Sequence, residues 1–293
     1  KGRIHSEINQ LRSDQGGTVS GRLSYSNPNL QQIPARNKEY GDKIRSLFLP
    51  EEGKQWGSFD YSQQEPRLVA HYAAAVDNNF TGADEFIEAY KNEAADFHQI
   101  VADMAGISRT NAKTINLGLF YGMGKAKLAK ELGISKDAAD NLLNKYHSRV
   151  PFVKKLAEAV TGSASKYGFI RTIKGRKCRF DMWEPATFGM NKAMQYEEAK
   201  AIYGNNIRRA FTYKALNRLI QGSAADQTKQ AMINCYKAGY MPLLQIHDEL
   251  CFSINEENDI KGVKEVMENA IENLKVPFKV DVAIGKSWGE AKE

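Results

Sequence analysis

Cysteine is scarce in this chain, with 3 among 293 residues. Cys178, Cys235 and Cys251 are widely spaced, odd in number and without a CxxC pair. That pattern argues against a disulfide framework or a structural zinc site, and it suits a reducing intracellular compartment, cytoplasm and organelle not being resolved. No apolar run approaches the roughly 18 residues of a helical membrane span, so no membrane partner is expected. The N-terminus, Lys1-Gly2-Arg3-Ile4-His5, lacks the apolar core and small-residue cleavage site of a signal peptide. It also lacks a starting methionine, so the sequence reads as a fragment or a processed product. Internal repeats and low-complexity tracts are missing too.

What is there looks globular. The composition is 42% hydrophobic, 26% charged and 10% aromatic, enough for a sizeable core in one large domain or two modest ones. The formal charge of +6 is a mild hint of a polyanionic partner, and its distribution says more. Residues 109–149 hold eight Lys/Arg against three Asp/Glu, residues 166–179 hold six basic residues and no acid, and residues 256–293 are net acidic. Such a basic middle fits a groove for phosphates, although charge alone does not separate that from solvated helix faces.

The segment from Gly16 to Pro34, rich in Gly, Ser, Asn and Pro, predicts an irregular loop region. Trp56 to Asp60 reads as a buried strand ending in an acid. Ser62-Gln63-Gln64-Glu65 reads as a capping box opening a helix that runs through Tyr72 to Val76, with Pro66 tolerable in the first turn. Mostly helical periodicity follows from Ala83 to Val160, broken at Gly106-Ile107-Ser108, Gly122-Met123-Gly124 and Gly133-Ile134-Ser135. Tyr167 to Phe180 predicts a hairpin turning near Lys174-Gly175, and Asn191 to Ala238 predicts helix. Two short strands around His247-Asp248-Glu249, a helix near Asp259 to Leu274 and a strand from Phe278 to Ile284 complete an α+β pattern with a helical insertion.

Two acids stand at the rim of predicted sheet: Asp60 at a strand end, and Asp248 in a hairpin turn beside Glu249. Hard cations such as Mg²⁺ take one or two carboxylates and complete their shell with water and substrate phosphates, and two ions can clamp both oxygens of a phosphoryl transfer. Either acid alone has a plainer explanation, since Asp is common in turns. Arg109, Lys113, Leu117 and Tyr121 are spaced by four and share one helix face. Two cations followed by an apolar and an aromatic side chain suit a nucleoside triphosphate lying along the helix, while the same stripe also describes an ordinary amphipathic helix. Gly122-Met123-Gly124 follows a helix and lacks a third glycine, so it is no dinucleotide fingerprint. The internal His-Asp-Glu-Leu string is no retention signal, because that signal is C-terminal.

Taken in order, the motifs resemble family A DNA polymerases, the bacterial DNA polymerase I type, over almost the whole chain. The resemblance rests on Gly21-Arg22-Leu23-Ser24 with Asn27-Pro28-Asn29-Leu30-Gln31-Gln32-Ile33-Pro34, and on Asp60-Tyr61-Ser62-Gln63-Gln64-Glu65-Pro66-Arg67. It extends through Arg109-x3-Lys113-x3-Leu117-x3-Tyr121-Gly122, Gln221-Gly222-Ser223-Ala224-Ala225-Asp226 and Gln245-Ile246-His247-Asp248-Glu249-Leu250. The chain departs from the family pattern at Leu117, where Phe or Tyr is usual, at Pro66, where an aliphatic residue is usual, and at Tyr213-Lys214, where Arg is frequent.

The resemblance implies a right-hand architecture: an antiparallel palm sheet with helices from residues 1–70 and 205–293, interrupted by mainly helical fingers from 71–204. Thumb and exonuclease are absent from this stretch. It implies template-directed addition of deoxynucleotides to a primer 3′ end, with primer-template DNA and deoxynucleoside triphosphates as partners. Two Mg²⁺ ions, replaceable by Mn²⁺, are then expected on Asp60, Asp248 and the backbone carbonyl of Tyr61, with Lys113 joining the two aspartates in catalysis. Gln63, Glu65, His98, Arg109, Lys113, Leu117 and Tyr121 are the expected nucleotide-binding residues, Glu65 and Tyr121 forming a wall under the sugar. Arg22, Asn29, Asn217, Gln221 and His247 are expected on DNA, and Glu249 behind the metal site. A DNA-binding module that has lost catalysis and a two-metal nuclease are the other readings; primer extension with and without metal separates them.

Overall fold

The computed structural model describes residues 2–13, 16–34, 38–76, 83–91, 96–120, 123–187, 189 and 192–291. Strands β1 (Glu7–Asn9) and β2 (Ser24–Ser26) pair antiparallel, a 3-10 turn covers Leu30–Gln32, and helix α1 spans Lys38–Arg45. Strand β3 (Gln55–Tyr61) leads into α2 (Gln64–Val76). Six helices follow: α3 (Ala83–Lys91), α4 (Phe97–Ala105), α5 (Arg109–Phe120), α6 (Lys125–Leu132), α7 (Lys136–Arg149) and α8 (Pro151–Tyr167). Next come β4 (Phe169–Arg171), β5 (Lys177–Arg179), β6 (Trp183–Pro185), α9 (Tyr196–Tyr203) and β7 (Ile207–Arg209). The chain then runs through α10 (Ala215–Lys237), β8 (Pro242–Ile246), β9 (Glu249–Ile254), α11 (Glu257–Glu268) and β10 (Val280–Gly285). Packing gathers it into two compact units, Lys1–Arg67 with Gln221–Glu293, and Leu68–Ile220.

The first unit is organised by a four-stranded antiparallel sheet in the order β10-β3-β9-β8. The apolar run in β3 buries both faces of the strand, because Trp56, Gly57, Ser58 and Phe59 are all covered. On one face Trp56 stacks on Trp288 at 6.1 Å, within a cluster that includes Leu23, Tyr25, Leu244 and Ile246. On the other face Phe59 meets Phe252 edge-on at 5.5 Å. Fully burying an aromatic or large aliphatic side chain contributes about 1.5–3 kcal/mol, so this layer is a main source of the unit's stability. Gly57 is required by close approach: a Cβ there would lie 2.7 Å from Ile254 and 2.8 Å from Phe59.

The second unit is mainly helical, and its breaks are written locally. Gly106-Ile107-Ser108 and Gly133-Ile134-Ser135 do the same job twice. Gly106 and Gly133 close α4 and α6 in the left-handed conformation, and the N–H groups of Ile107 and Ile134 return to Ala102 and Ala129 at 3.0 Å. Ser108 and Ser135 then cap α5 and α7 by accepting from the N–H groups of Asn111 and Ala138. The expected hairpin forms between β4 and β5, with Gly175 at φ 77° in its turn.

Three local expectations are corrected. The helices expected from Asn191 to Ala238 are interrupted by β7, which pairs with β6; Arg208 reaches Glu184 at 2.8 Å and Arg209 lies over the Trp183 ring. That pairing is non-local, so helical periodicity could not reveal it. The capping box does not form. The Ser62 N–H that it needs goes to the carbonyl of Lys279 at 2.9 Å, and α2 begins at Gln64 after Gln63 takes φ 51°. Pro66 is still accommodated, since a first-turn N–H needs no helical partner. Finally, α11 stops at Glu268, where Asn269 turns its side-chain amide back to the carbonyl of Glu265.

Candidate active site

Strands β8 and β9 are in register from Ile246 opposite Glu249, which leaves His247-Asp248 as a two-residue hairpin turn. Tight turns of this kind ask for positive φ, usually met by Gly or Asn. His247 adopts φ 53°, a conformation costing a non-glycine residue on the order of 1–3 kcal/mol. Its surroundings hold it there. Buried Gln245 donates from Nε2 to the His247 carbonyl at 2.5 Å, and Gln31 donates to Gln245 at 3.3 Å.

The turn presents a concentration of charge. Asp60 stands opposite Glu249 on one side and Asp281 on the other, so three carboxylates line up across β10, β3 and β9. Like charges directly opposed on a sheet destabilise it unless a cation intervenes. Burial pushes the Asp248 carboxyl above its ordinary range, nearby Glu65 pushes the same way, and Arg22 and His247 oppose them. Arg22 also donates from Nη2 to Oε1 of Glu65 at 2.6 Å, with side chains only 28% and 14% exposed. Arg22, Glu65, His247 and Asp248 therefore form one electrostatic group, and Glu65 is held by an ion pair in place of the expected helix cap.

These residues suit a hard divalent cation. The donors are carboxylate and carbonyl oxygens, and an added positive charge would relieve both the carboxylate row and the desolvated Asp248. Among the described residues no group of three or more His, Cys, Asp or Glu converges to hold a metal unaided. A hard divalent cation on one or two carboxylates completes its shell with substrate oxygens and water. The Tyr61 side chain is engaged elsewhere. Its hydroxyl donates to the Met267 carbonyl at 2.6 Å and burial pushes it well above the usual phenol range, which leaves the backbone carbonyl as the candidate ligand.

The second unit carries a basic group of its own. Arg109 and Lys113 lie four apart on exposed positions of α5, and both act electrostatically on buried His98 at the start of α4. Asp96 caps α4, accepting from the N–H groups of His98 and Gln99, and binds Arg109 through Nε at 2.7 Å and Nη2 at 2.5 Å. Burial raises the Asp96 carboxyl, but the Arg109 contact and the two N–H donors together bring it below its ordinary value. Tyr121 and the side chain of Leu117 lie outside the described residues.

The remaining candidates are more dispersed. Asn29 caps the 3-10 turn, its side chain accepting from the Gln31 N–H at 3.1 Å. Gln221 and Asn217 are half-buried on α10, and Gln63 forms the turn ahead of α2. Sequence reasoning missed Asp96, Gln245, Asn116 and Gln64. Asp96 was within reach as an acid directly before a helix. Gln64 is buried and donates to Gln227 at 3.1 Å and Thr228 at 3.2 Å, tying the start of α2 to α10, and nothing local announces that.

The model of DNA polymerase family A matches residues 1–290. A DNA-directed DNA polymerase of Pseudomonas phage M6 is 38% identical, the match covering 99% of this chain and 47% of the phage protein. DNA polymerase I of Lactococcus lactis subsp. cremoris is 37% identical, with 99% of this chain and 32% of that protein covered. The chain thus spans 32% and 47% of the length of these two curated relatives. Among solved structures, the POL domain of Pol1 from M. smegmatis, in complex with DNA primer-template and dNTP, superposes with a TM-score of 0.77 at 34% identity. That match covers 99% of this chain and 48% of the other. With the acidic turn, the basic helix and nearly its full length accounted for, the chain belongs to DNA polymerase family A.

Proposed function

We propose that this chain is the catalytic portion of a template-directed DNA polymerase, adding deoxynucleotides to a primer 3′ end with release of pyrophosphate. The observation that carries the proposal is the acidic rim of the sheet, where Asp60 pairs in register with Glu249 and Asp248 meets the Arg22–Glu65 pair, in a chain of this family. Asp60, Asp248 and the Tyr61 carbonyl would hold two divalent cations, Mg²⁺ or Mn²⁺. Such cations, when bound, favour the deprotonated primer hydroxyl and neutralise charge on the departing pyrophosphate.

The protein's own groups do the rest. Glu249, opposite Asp60 in register, adds a further carboxylate behind the cation site. Arg22 fixes Glu65, and by the resemblance to the family Glu65 and Tyr121 would each discriminate against a 2′-hydroxyl. Lys113, Arg109 and His98 bind the triphosphate, the two cations offsetting its charge and the imidazole donating a hydrogen bond. Gln63 and Leu117 are the further nucleotide-binding candidates by the resemblance to the family. Arg22, Asn29, Asn217, Gln221 and His247 contact primer-template, and the guanidinium of Arg22, with five donors, can serve both Glu65 and DNA. Residues 1–70 and 205–293 act as palm and 71–204 as fingers.

Primer extension tests this directly. Wild-type protein should extend a primer only with Mg²⁺ or Mn²⁺, and Asp60→Asn should nearly abolish extension while leaving primer-template binding intact. Near-normal single-turnover extension by a folded Asp60→Asn protein would overturn the assignment, and DNA degradation without added nucleotides would point to a nuclease.

A further inference from the structure

Beneath the basic group of the second unit lies a polar relay that the proposed chemistry has not used. It links three helices through buried side chains: His98 on α4, Asn116 on α5 and Tyr146 on α7, with Asn116 and Tyr146 fully buried. The Tyr146 hydroxyl donates to Oδ1 of Asn116 at 2.6 Å. With Oδ1 committed, the amide turns its NH₂ toward the imidazole, and Nδ2 lies 3.1 Å from Nδ1 of His98. A neutral imidazole has one donor and one acceptor nitrogen, and the partner of one fixes the role of the other. Facing an amide donor, Nδ1 must accept, so the ring proton resides on Nε2.

We propose that Asn116 and Tyr146 are positioning residues that lock His98 as the neutral Nε2–H tautomer, a fixed donor for an anionic oxygen. The inference rests on the reading of His98 as a triphosphate contact, and it deepens that reading by assigning the proton. The charged groups facing the ring are Asp96, Lys113 and Arg109. Burial holds the ring below its ordinary range, the two cations act in the same direction, and Asp96 opposes them. A neutral donor can hold a phosphate oxygen without exchanging a proton with it. An imidazolium or the other tautomer would present a different hydrogen-bonding edge. Tyr146 is itself kept protonated by burial, so it remains able to donate across the neutral range.

The test is long-range ¹H–¹⁵N correlation spectroscopy on the full chain labelled at histidine, without nucleotide, at pH 7.5. The chain has 5 His, and His98→Gln identifies the relevant signals by their loss. The expected wild-type pattern is a bare Nδ1 and a protonated Nε2. Asn116→Asp, whose carboxylate only accepts, should move the proton to Nδ1 and raise the pH midpoint of the ring. Tyr146→Phe, which removes one oxygen and keeps the ring packed, should free the amide to rotate and give a tautomer mixture. In primer extension Asn116→Asp should slow incorporation about 10-fold or more at unchanged primer-template affinity, as expected when a donor to developing charge is misdirected. A wild-type spectrum with Nδ1 protonated would overturn the proposal, and so would a folded Asn116→Asp or Tyr146→Phe protein with the wild-type pattern. The expected spectra from a protein that extends no primer would support the tautomer assignment and overturn the polymerase reading instead.

Discussion

Separating Arg22 from Glu65 should cost the protein in two unequal ways. The bond between them is 2.6 Å long and joins side chains that are 28% and 14% exposed. Fully exposed ion pairs couple by about 0.2–1 kcal/mol, whereas a hydrogen bond with charged partners out of bulk water contributes about 1.5–3 kcal/mol. The upper range applies here, because both groups are largely covered. The two single variants should also differ. Arg22→Ala leaves Glu65 without this cation and leaves Asp248 facing a like charge, whereas Glu65→Ala removes a repulsion that Asp248 feels. Arg22→Ala should therefore be the more destabilising by about 1 kcal/mol or more, as when a partly buried charge loses its partner. Urea unfolding of wild type, both single variants and the double variant, in EDTA at pH 7.5, closes the cycle through the shifts in midpoint. Equal effects of the single variants, or a coupling under about 0.5 kcal/mol, would refute the reasoning and return Glu65 to a solvent-screened role.

Three further outcomes are expected. Because burial raises the Asp248 carboxyl, its proton-linked stability is complete below the ordinary carboxylate range and is lost as pH rises through the folded value. At pH 7 in EDTA, Asp248→Asn should thus melt above wild type, with added Mg²⁺ raising the wild-type melting temperature more than the variant's; a lower melting temperature for the variant in EDTA would contradict this. Gln245→Leu removes the donor that holds His247 at positive φ and should cost about 1–2 kcal/mol in urea unfolding. An unchanged midpoint would mean that the turn holds itself. Leu117→Tyr should relax discrimination against dideoxynucleotides, since a tyrosine hydroxyl can stand in for the missing 3′-hydroxyl and leucine has none. The measure is the ratio of kcat/KM for dideoxy and deoxy substrates, and identical ratios would turn the Leu117 side chain away from the nucleotide.

The sequence was most legible where one short segment decides its own geometry. Glycine C-caps followed by serine N-caps located the breaks ahead of α5 and α7, and the apolar run of β3 with its terminal acid located the edge of the site. The hairpin around His247-Asp248 was equally plain, because apolar runs flank the polar turn. Pairings between distant residues were hidden. Strand β7 looked like helix, and the Arg22–Glu65 bond joins residues 43 apart, so Glu65 looked like a capping residue. The Tyr146–Asn116–His98 relay needs three helices to converge before any of its members acquires a role.

The backbone at His247 sets stability and activity against each other. A glycine at φ 53° would relax the turn, and asparagine would sit there more comfortably than histidine. Variants selected for heat resistance alone should therefore drift toward those residues at position 247, shedding the imidazole next to Asp248 as they do. Selection for turnover should keep the histidine and accept a less comfortable backbone. The residue found there would then record which of the two pressures a given lineage, or a given engineering campaign, had been under.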